Sequence, residues 1–244
     1  MSPYRAEFIG TMILVLLGNG VCANVNLNKS LGSNSGWMVI TTGWALAVTI
    51  AVYLVNAVSG AHLNPAVTIA LATIGKFAWT DVAGYLAAQL TGAATGAVLV
   101  WCTYLQHWGE TKDQGAVRGS FCTGAAIPHV PSNLLTEVIG TFVLVLGVLV
   151  VLSPANLVPN SGFKEGLAPA LVGVIVWSIG LSLGGPTGYA INPARDLGPR
   201  IAHAILPIPG KGSSEWGYAW IPVVGPVIGG VIAAVFYRTL WPLA

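Results

Sequence analysis

Charged residues are scarce in this chain. Aspartate, glutamate, lysine and arginine make up 7% of its 244 residues, against about 25% in a typical soluble domain. The net charge is only +2, which indicates no nucleic-acid partner. Hydrophobic residues make up 55% of the sequence, and most charges lie in Gly/Ser/Asn-rich gaps between long apolar runs. This composition predicts a membrane protein.

Residue clusters that carry chemistry are also missing from the sequence. Of the three cysteines, Cys22 and Cys102 lie in or near apolar runs and Cys122 lies in a predicted loop. They are interpreted as unpaired packing residues. The sequence has no His/Cys metal cluster, no nucleophile with a base beside it and no phosphate-binding loop. It therefore favours a protein that is not an enzyme and that holds no cofactor and no metal.

Six apolar runs are long enough to cross a bilayer, which takes about 20 residues. The predicted spans are Ala6–Ala23, Trp37–Val55, Val82–Tyr104, Leu134–Leu152, Leu167–Leu183 and Tyr218–Tyr237. The longest connection, about 105–133, is polar and joins the two halves of the chain. An all-α membrane protein is predicted, with a single transmembrane domain over residues 1–244.

The tripeptide Asn-Pro-Ala occurs twice, as Asn64-Pro65-Ala66 and as Asn192-Pro193-Ala194. Asparagine is a preferred N-cap residue and proline is favoured at the first helical position, so each copy predicts an abrupt helix start. The helices that follow, Ala66–Ile74 and Ala194–Ile205, are too short to span a bilayer. Such half-helices are tolerated at membrane depth only where they are buried in protein or line a polar cavity. They indicate a channel or a transporter.

The two halves of the chain repeat each other. The sequence AEFIGT at 6–11 matches TEVIGT at 136–141, and SGAHLN at 59–64 matches TGYAIN at 187–192. Each repeat, about 1–110 and 134–244, holds three spans, so the second repeat enters the membrane from the opposite side. An inverted repeat of this kind forms its site near the midplane. The two half-helices are therefore expected to meet N-terminus to N-terminus.

The expected meeting point has a defined electrostatic character. Each helix N-terminus carries about half a positive charge, so two of them at one point repel protons and other cations. If the side-chain oxygens of Asn64 and Asn192 cap the helices, their amide N–H groups stay free for a molecule in the pore. The residues ahead of each cap are predicted to be extended and to offer backbone carbonyls along the path: Gly60, Ala61, His62 and Leu63 in one repeat, and Gly188, Ala190 and Ile191 in the other. Whether His62 lines the pore or packs the loop stays open.

These motifs resemble those of the major intrinsic proteins, the aquaporin superfamily, and more narrowly those of bacterial glycerol facilitators, or aquaglyceroporins. The match covers nearly the whole chain, and SGAHLNPAV at 59–67 with GYAINPARD at 188–196 is highly specific. The resemblance implies a passive channel for glycerol, water and other small neutral solutes that excludes ions. It also implies a homotetramer in a bacterial plasma membrane, with both termini in the cytoplasm. Lysines and arginines divide evenly between the two predicted sides, so charge alone leaves the orientation open.

The resemblance also places a selectivity filter at Trp44, Gly180, Tyr189 and Arg195. Water-selective relatives tend to carry histidine at the position of Gly180, and glycerol facilitators commonly carry phenylalanine at that of Tyr189. Asp196, directly after Arg195, accompanies the glycerol subclass. Arginine can donate to hydroxyls and repel cations. The two aromatic rings would face the carbon backbone of a polyol, and Gly180 would widen the passage.

Carboxylates in the predicted membrane region have two interpretations. Glu7 and Glu137 occupy equivalent repeat positions near span starts, where a solvated carboxylate is one reading. The resemblance implies instead that both are buried and accept hydrogen bonds from the re-entrant loops, and a proton relay is a minor alternative. Asp196 and Arg200 lie four residues apart, a spacing that allows a helical ion pair and structural support.

Two other functions are weighed against the glycerol channel. One is a mainly water-selective aquaporin. The other is a coupled secondary transporter, which also uses inverted repeats and broken helices. A transporter would need ion-binding carboxylates at the midplane, whereas Glu7, Glu137 and Asp196 are each assigned a structural role. Uptake that depends on a proton or sodium gradient would discriminate the transporter from a channel.

Overall fold

The computed structural model describes residues 1–153 and 162–241, and all regular structure within these ranges is helical. The α-helices in chain order are α1 (Pro3–Asn26), α2 (Trp37–Ser59), α3 (Pro65–Thr73), α4 (Trp79–Thr103), α5 (Gln114–Gly119), α6 (Val130–Val151), α7 (Phe163–Gly166), α8 (Ala168–Leu183), α9 (Pro193–Ile205) and α10 (Ile221–Leu240). A short 3-10 helix covers Trp108–Glu110. Helices α1, α2, α4, α6 and α10 are long and apolar enough to cross a membrane.

The fifth predicted span is shorter than the others. Helix α8 has 16 residues, which at 1.5 Å per residue gives about 24 Å, less than the ~30 Å of a bilayer's hydrocarbon core. A separate four-residue helix, α7, precedes it. The six predicted spans therefore correspond, within the described residues, to five full-length helices and one shorter apolar helix.

Local capping sets the helix ends, which lie within a few residues of the approximate span ends that the hydropathy pattern predicts. The Ser2 side chain accepts a hydrogen bond from the Arg5 N–H, so α1 starts at Pro3 rather than at Ala6. Helix α2 continues to Ser59, where Gly60 ends it in the left-handed conformation at φ 80°. Helix α10 starts after Tyr218, because residues 216–220 form hydrogen-bonded turns.

The two repeats pack their helices in equivalent ways. Helix α1 packs on α4 and α6 packs on α10, while each half-helix packs chiefly against the opposite repeat, α3 on α10 and α9 on α4. Glycines bring the paired backbones together. A Cβ atom on Gly92 of α4 would lie 2.3 Å from the Phe8 carbonyl oxygen, and one on Gly229 of α10 would lie 2.2 Å from that of Val138. Phe8 and Val138 occupy matching positions of the two repeats.

The first testable prediction concerns this close packing. We expect Gly92→Ala to lower the free energy of unfolding by roughly 1–3 kcal/mol, because the added methyl group forces α1 and α4 apart. The matched control is Gly20→Ala in α1, where a Cβ atom meets nothing within 4 Å. Thermal unfolding in detergent measures both variants. Equal melting temperatures for the two variants would contradict the close approach of α1 and α4.

Candidate functional site

Both Asn-Pro-Ala segments start a helix, as predicted. The Asn64 side-chain oxygen accepts from the N–H of Ala66 at 2.9 Å. The Asn192 side-chain oxygen accepts from the N–H groups of Ala194 and Arg195 at 3.0 and 3.2 Å. Prolines 65 and 193 occupy the first helical positions of α3 and α9. The helix N-termini are therefore fixed by the sequence of the tripeptide itself.

The same two asparagines join the repeats to each other. The Asn64 amide nitrogen donates to the Ile191 carbonyl at 2.7 Å, and the Asn192 amide nitrogen donates to the Leu63 carbonyl at 2.8 Å. Each amide gives one N–H to the opposite repeat, which leaves one N–H for a molecule in the cavity. The sequence alone predicts that both N–H groups of each amide are free, which holds for only one of the two. The reciprocal bonds hold two positive helix ends at one point.

The residues ahead of each asparagine are not extended, which corrects the sequence interpretation. Three residues in each loop adopt positive φ values, in the same order in both repeats. They are Gly60, Ala61 and Leu63 at 80, 49 and 51°, and Gly188, Tyr189 and Ile191 at 77, 39 and 44°. Positive φ is uncommon for residues other than glycine and is costly to maintain. Both loops therefore need strong external support.

A buried carboxylate supports the first loop. Glu7, which is 0% exposed, accepts hydrogen bonds from the Ser59 hydroxyl at 2.7 Å and from the His62 and Leu63 N–H groups at 2.9 and 2.7 Å. The Gln89 amide also donates to it at 2.8 Å. The reading of Glu7 as a solvated interfacial carboxylate is therefore wrong.

Glu137 supports the second loop in the same manner. It is also 0% exposed, and it accepts from the N–H groups of Ala190 and Ile191 at 3.0 and 2.8 Å. These two residues match His62 and Leu63 in the sequence repeat. Each left-handed loop is thus held by a carboxylate on the first long helix of its own repeat.

A cavity of about 100 Å³ lies between the two loops and the long helices. The residues that line it from the loops, the caps and the polar position of one helix are Asn56, Gly60, Ala61, His62, Leu63, Asn64, Tyr189, Ala190, Ile191, Asn192 and Arg195. Apolar side chains reach it from α1, α2, α3, α6 and α8. The cavity therefore offers hydrogen-bonding groups and hydrocarbon surface to the same small molecule.

The apolar wall follows rows of residues spaced four apart, which the sequence analysis did not identify. Such residues share one helix face. The cavity borders Trp44, Val48, Val52 and Asn56 on α2, Leu144 and Val148 on α6 with Leu152 at its C-cap, and Ala168, Val172 and Val176 on α8. One feature of the sequence could have predicted this wall. Asn56 is a polar residue within an apolar helix, and it lies in the same row as Trp44.

Trp44 and Arg195 come together at this cavity. The Arg195 guanidinium lies 4.1 Å over the Trp44 ring, a distance suited to a cation–π contact. The Trp44 ring rests on Gly18, and its indole N–H donates to the Cys22 sulfur at 3.3 Å. Within residues 1–153 and 162–241 the guanidinium makes no hydrogen bond to protein, so its N–H groups are available to a solute.

Gly180 and Gly188 do not border the cavity. A Cβ atom on Gly180 would lie 2.8 Å from Cζ of Tyr189, whose ring fills that space and borders the cavity itself. That Gly180 widens the passage stays a prediction; its missing side chain makes room for the tyrosine ring. Gly188 lies beside Thr123 instead, where a Cβ atom would be 3.4 Å from the threonine side chain.

The ion pair predicted on the second half-helix is present and buried. Arg200 Nε lies 2.8 Å from Asp196 Oδ1, and both side chains are fully buried. Asp196 also accepts from the Thr123 N–H and hydroxyl at 2.8 and 2.6 Å. Arg200 donates to the Thr123 and Ser214 carbonyls at 2.7 and 2.6 Å. The pair ties two long loops to α9, next to Arg195.

Both alternatives for His62 hold together. The residue lines the cavity, while its Nδ1 atom lies 3.1 Å from the Thr68 hydroxyl and its ring packs on Phe77 and Tyr85. Cys22, Cys102 and Cys122 form no disulfide within the described part of the chain.

Comparisons with known proteins agree with one another over nearly the whole length of the chain. The family described as Major intrinsic protein matches residues 2–237. A probable glycerol uptake facilitator protein of Thermotoga maritima is 61% identical over 99% of this chain and 100% of its own length. A glycerol uptake facilitator protein of Bacillus subtilis is 58% identical over 98% of this chain and 84% of its own. The structure of the aquaglyceroporin from Plasmodium falciparum aligns with a TM-score of 0.82 at 32% identity, over 97% and 95% of the two chains.

The second prediction concerns the two buried carboxylates. We expect Glu7→Ala and Glu137→Ala each to lower stability or folding yield, because every buried N–H left unpaired costs roughly 1–3 kcal/mol. Glu110→Ala is the control, since that carboxylate is 48% exposed in an ion pair with Lys29. Detergent melting and the yield of folded protein measure the effect. Normal stability with an altered pH dependence of transport would favour a proton relay instead.

Proposed function

We propose, since the chain belongs to the major intrinsic protein family, that it is a passive transmembrane channel for glycerol. Water and other small neutral solutes share the path, and protons and ions are excluded. The observation that carries the proposal is the cavity at the crossed asparagines, where free N–H donors and loop carbonyls meet an apolar wall. The strong similarity to glycerol uptake facilitators supports it.

A solute passes along the cavity by exchanging one hydrogen-bond partner for the next. A glycerol molecule that leaves water loses hydrogen bonds, and the Arg195 guanidinium, the remaining Asn64 and Asn192 N–H groups and the loop carbonyls replace them one after another. Its carbon atoms meanwhile contact Trp44 and the aliphatic rows. Because no single position satisfies the solute completely, it is desolvated without being trapped.

Exclusion of cations follows from the same geometry. The two helix N-termini and the permanently charged Arg195 all present positive potential to the path. The reciprocal asparagine bonds also orient the amides as donors toward the cavity, so a hydroxyl at that point accepts from both. A proton arriving there meets this positive potential and is repelled.

The hydrogen bonds of the three candidate ion-binding carboxylates argue against a coupled transporter. Glu7 and Glu137 are committed to N–H donors of the loops, and Asp196 is committed to Arg200 and Thr123. None of them is open to a coupling ion at the cavity. The relatives named above are facilitators, which agrees with a protein that is not an enzyme.

The protein is a multi-pass membrane protein, and three finer features belong to the proposal. The whole chain forms one channel domain of two inverted repeats, about 1–110 and 134–244. Four copies assemble as a homotetramer with one pore in each subunit. The channel lies in a bacterial plasma membrane with both termini in the cytoplasm.

The third prediction tests passive conduction. Proteoliposomes should show glycerol permeability that does not saturate at ordinary concentrations and does not respond to imposed ion gradients. Stopped-flow light scattering measures the flux, with protein-free vesicles as the control. Glycerol accumulation against its own gradient, driven by a pH or sodium gradient, would exclude a channel.

The fourth prediction tests the filter. We expect Tyr189→Phe to keep glycerol flux within roughly five-fold, since it removes only a buried hydroxyl that has no hydrogen-bond partner among the described residues. Gly180→His should nearly abolish glycerol flux and spare water, because the new side chain displaces the Tyr189 ring toward the cavity. Both permeabilities are measured on the same vesicles. Wild-type glycerol flux through Gly180→His would show that the constriction lies elsewhere.

A further inference from the structure

The Tyr189 ring occupies a defined groove on α8. A Cβ atom on Gly180 would lie within 2.8 Å of this ring, and one on Gly184 would lie within 2.5 Å of it. The two glycines are four residues apart and so lie on one helix face. Together they leave a slot into which the ring fits.

The tyrosine has no hydrogen bond that would fix it in this slot. Its hydroxyl is buried and has no hydrogen-bond partner among the described residues. Its backbone lies at φ 39°, a strained conformation for a residue with a side chain. The position of the ring therefore depends on what packs against it.

Trp37 packs against this ring from the outer edge of the slot. The two rings meet edge to face, with centroids 5.7 Å apart and planes at 79°, a favoured aromatic geometry. The Trp37 ring also reaches α8, because a Cβ atom on Gly184 would lie 2.7 Å from its Cζ2 atom. Gly184 thus receives the edges of both rings.

A hydrogen bond locks Trp37 in this position. Its indole N–H donates to the Gly180 carbonyl at 3.0 Å. That carbonyl is one of the last four of α8, which have no partner within their own helix. The indole therefore satisfies a helix end and sets its own ring against Tyr189 in one contact.

We propose that Trp37 is a positioning residue of the filter, which sets the width of the pore by holding the Tyr189 ring against α8. Trp37 is the first residue of α2 and is 40% exposed, so it acts through Tyr189 and not as part of the cavity wall. The inference rests on the proposed glycerol channel and adds a determinant of the solute size that the channel accepts.

The test compares polyols of increasing length in proteoliposomes. The permeabilities of glycerol, of a four-carbon polyol and of a five-carbon polyol are measured for the wild type and for Trp37→Ala. We expect the ratio of five-carbon to glycerol permeability to change by roughly three- to ten-fold, the scale of one aromatic contact. Trp37→Phe keeps a ring against Tyr189, so its permeability ratio should lie between those of the wild type and of Trp37→Ala. If Trp37→Ala does not fold, Trp37→Leu replaces it.

The matched control is Trp79→Ala. Trp79 is also the first residue of a long helix and is 61% exposed, so its removal should leave the ratios unchanged. The same Trp37 substitution is repeated in a Tyr189→Ala background. If Trp37 acts through the tyrosine, it should have no further effect there.

Two results would overturn the inference. One is wild-type polyol ratios in Trp37→Ala, or in Trp37→Leu where that variant is used. The other is an equal change of the ratios with and without Tyr189. Both are distinct from failure of the proposed function itself, in which the wild-type protein would conduct no glycerol at all.

Discussion

The structure depends on two reciprocal hydrogen bonds. Asn64 and Asn192 each cap their own half-helix with the side-chain oxygen and reach across to the other repeat with the side-chain nitrogen. The carbonyls that receive them, of Leu63 and Ile191, point to the centre only because both loops turn through left-handed residues. Every other feature of the site either supports that turn or uses the donors that it leaves free.

The loops are strained, and the strain is balanced by buried polar groups on rigid helices. Glu7 and Glu137 accept hydrogen bonds from loop N–H groups that are buried away from water. The Asp196–Arg200 pair fastens two outer loops to the base of α9. Such groups are expensive to bury unless they are fully paired, so they fix one conformation of the pore. Selective conduction needs this rigidity, because a filter that relaxes around its solute loses its size limit.

Much of this organisation was predictable from the sequence, because the signals are local or repeated. The half-helix starts follow from Asn-Pro pairs, and the buried roles of Glu7 and Glu137 followed from a family resemblance. Contacts between distant segments were not predictable. The second bond of each asparagine, the tyrosine ring in the place that Gly180 leaves open, and the link from Thr123 to Asp196 all depend on tertiary packing. The left-handed residues Ala61 and Leu63 carry no sequence signal, since neither is a glycine.

The central claim is that the crossed asparagines pass a polyol and stop a proton. The most direct measurement follows both fluxes in the same proteoliposomes, with light scattering for glycerol and an enclosed pH-sensitive dye for protons. The account predicts glycerol entry far above that of protein-free vesicles, together with proton entry no faster than theirs. Proton entry that rises with the amount of channel protein would contradict it.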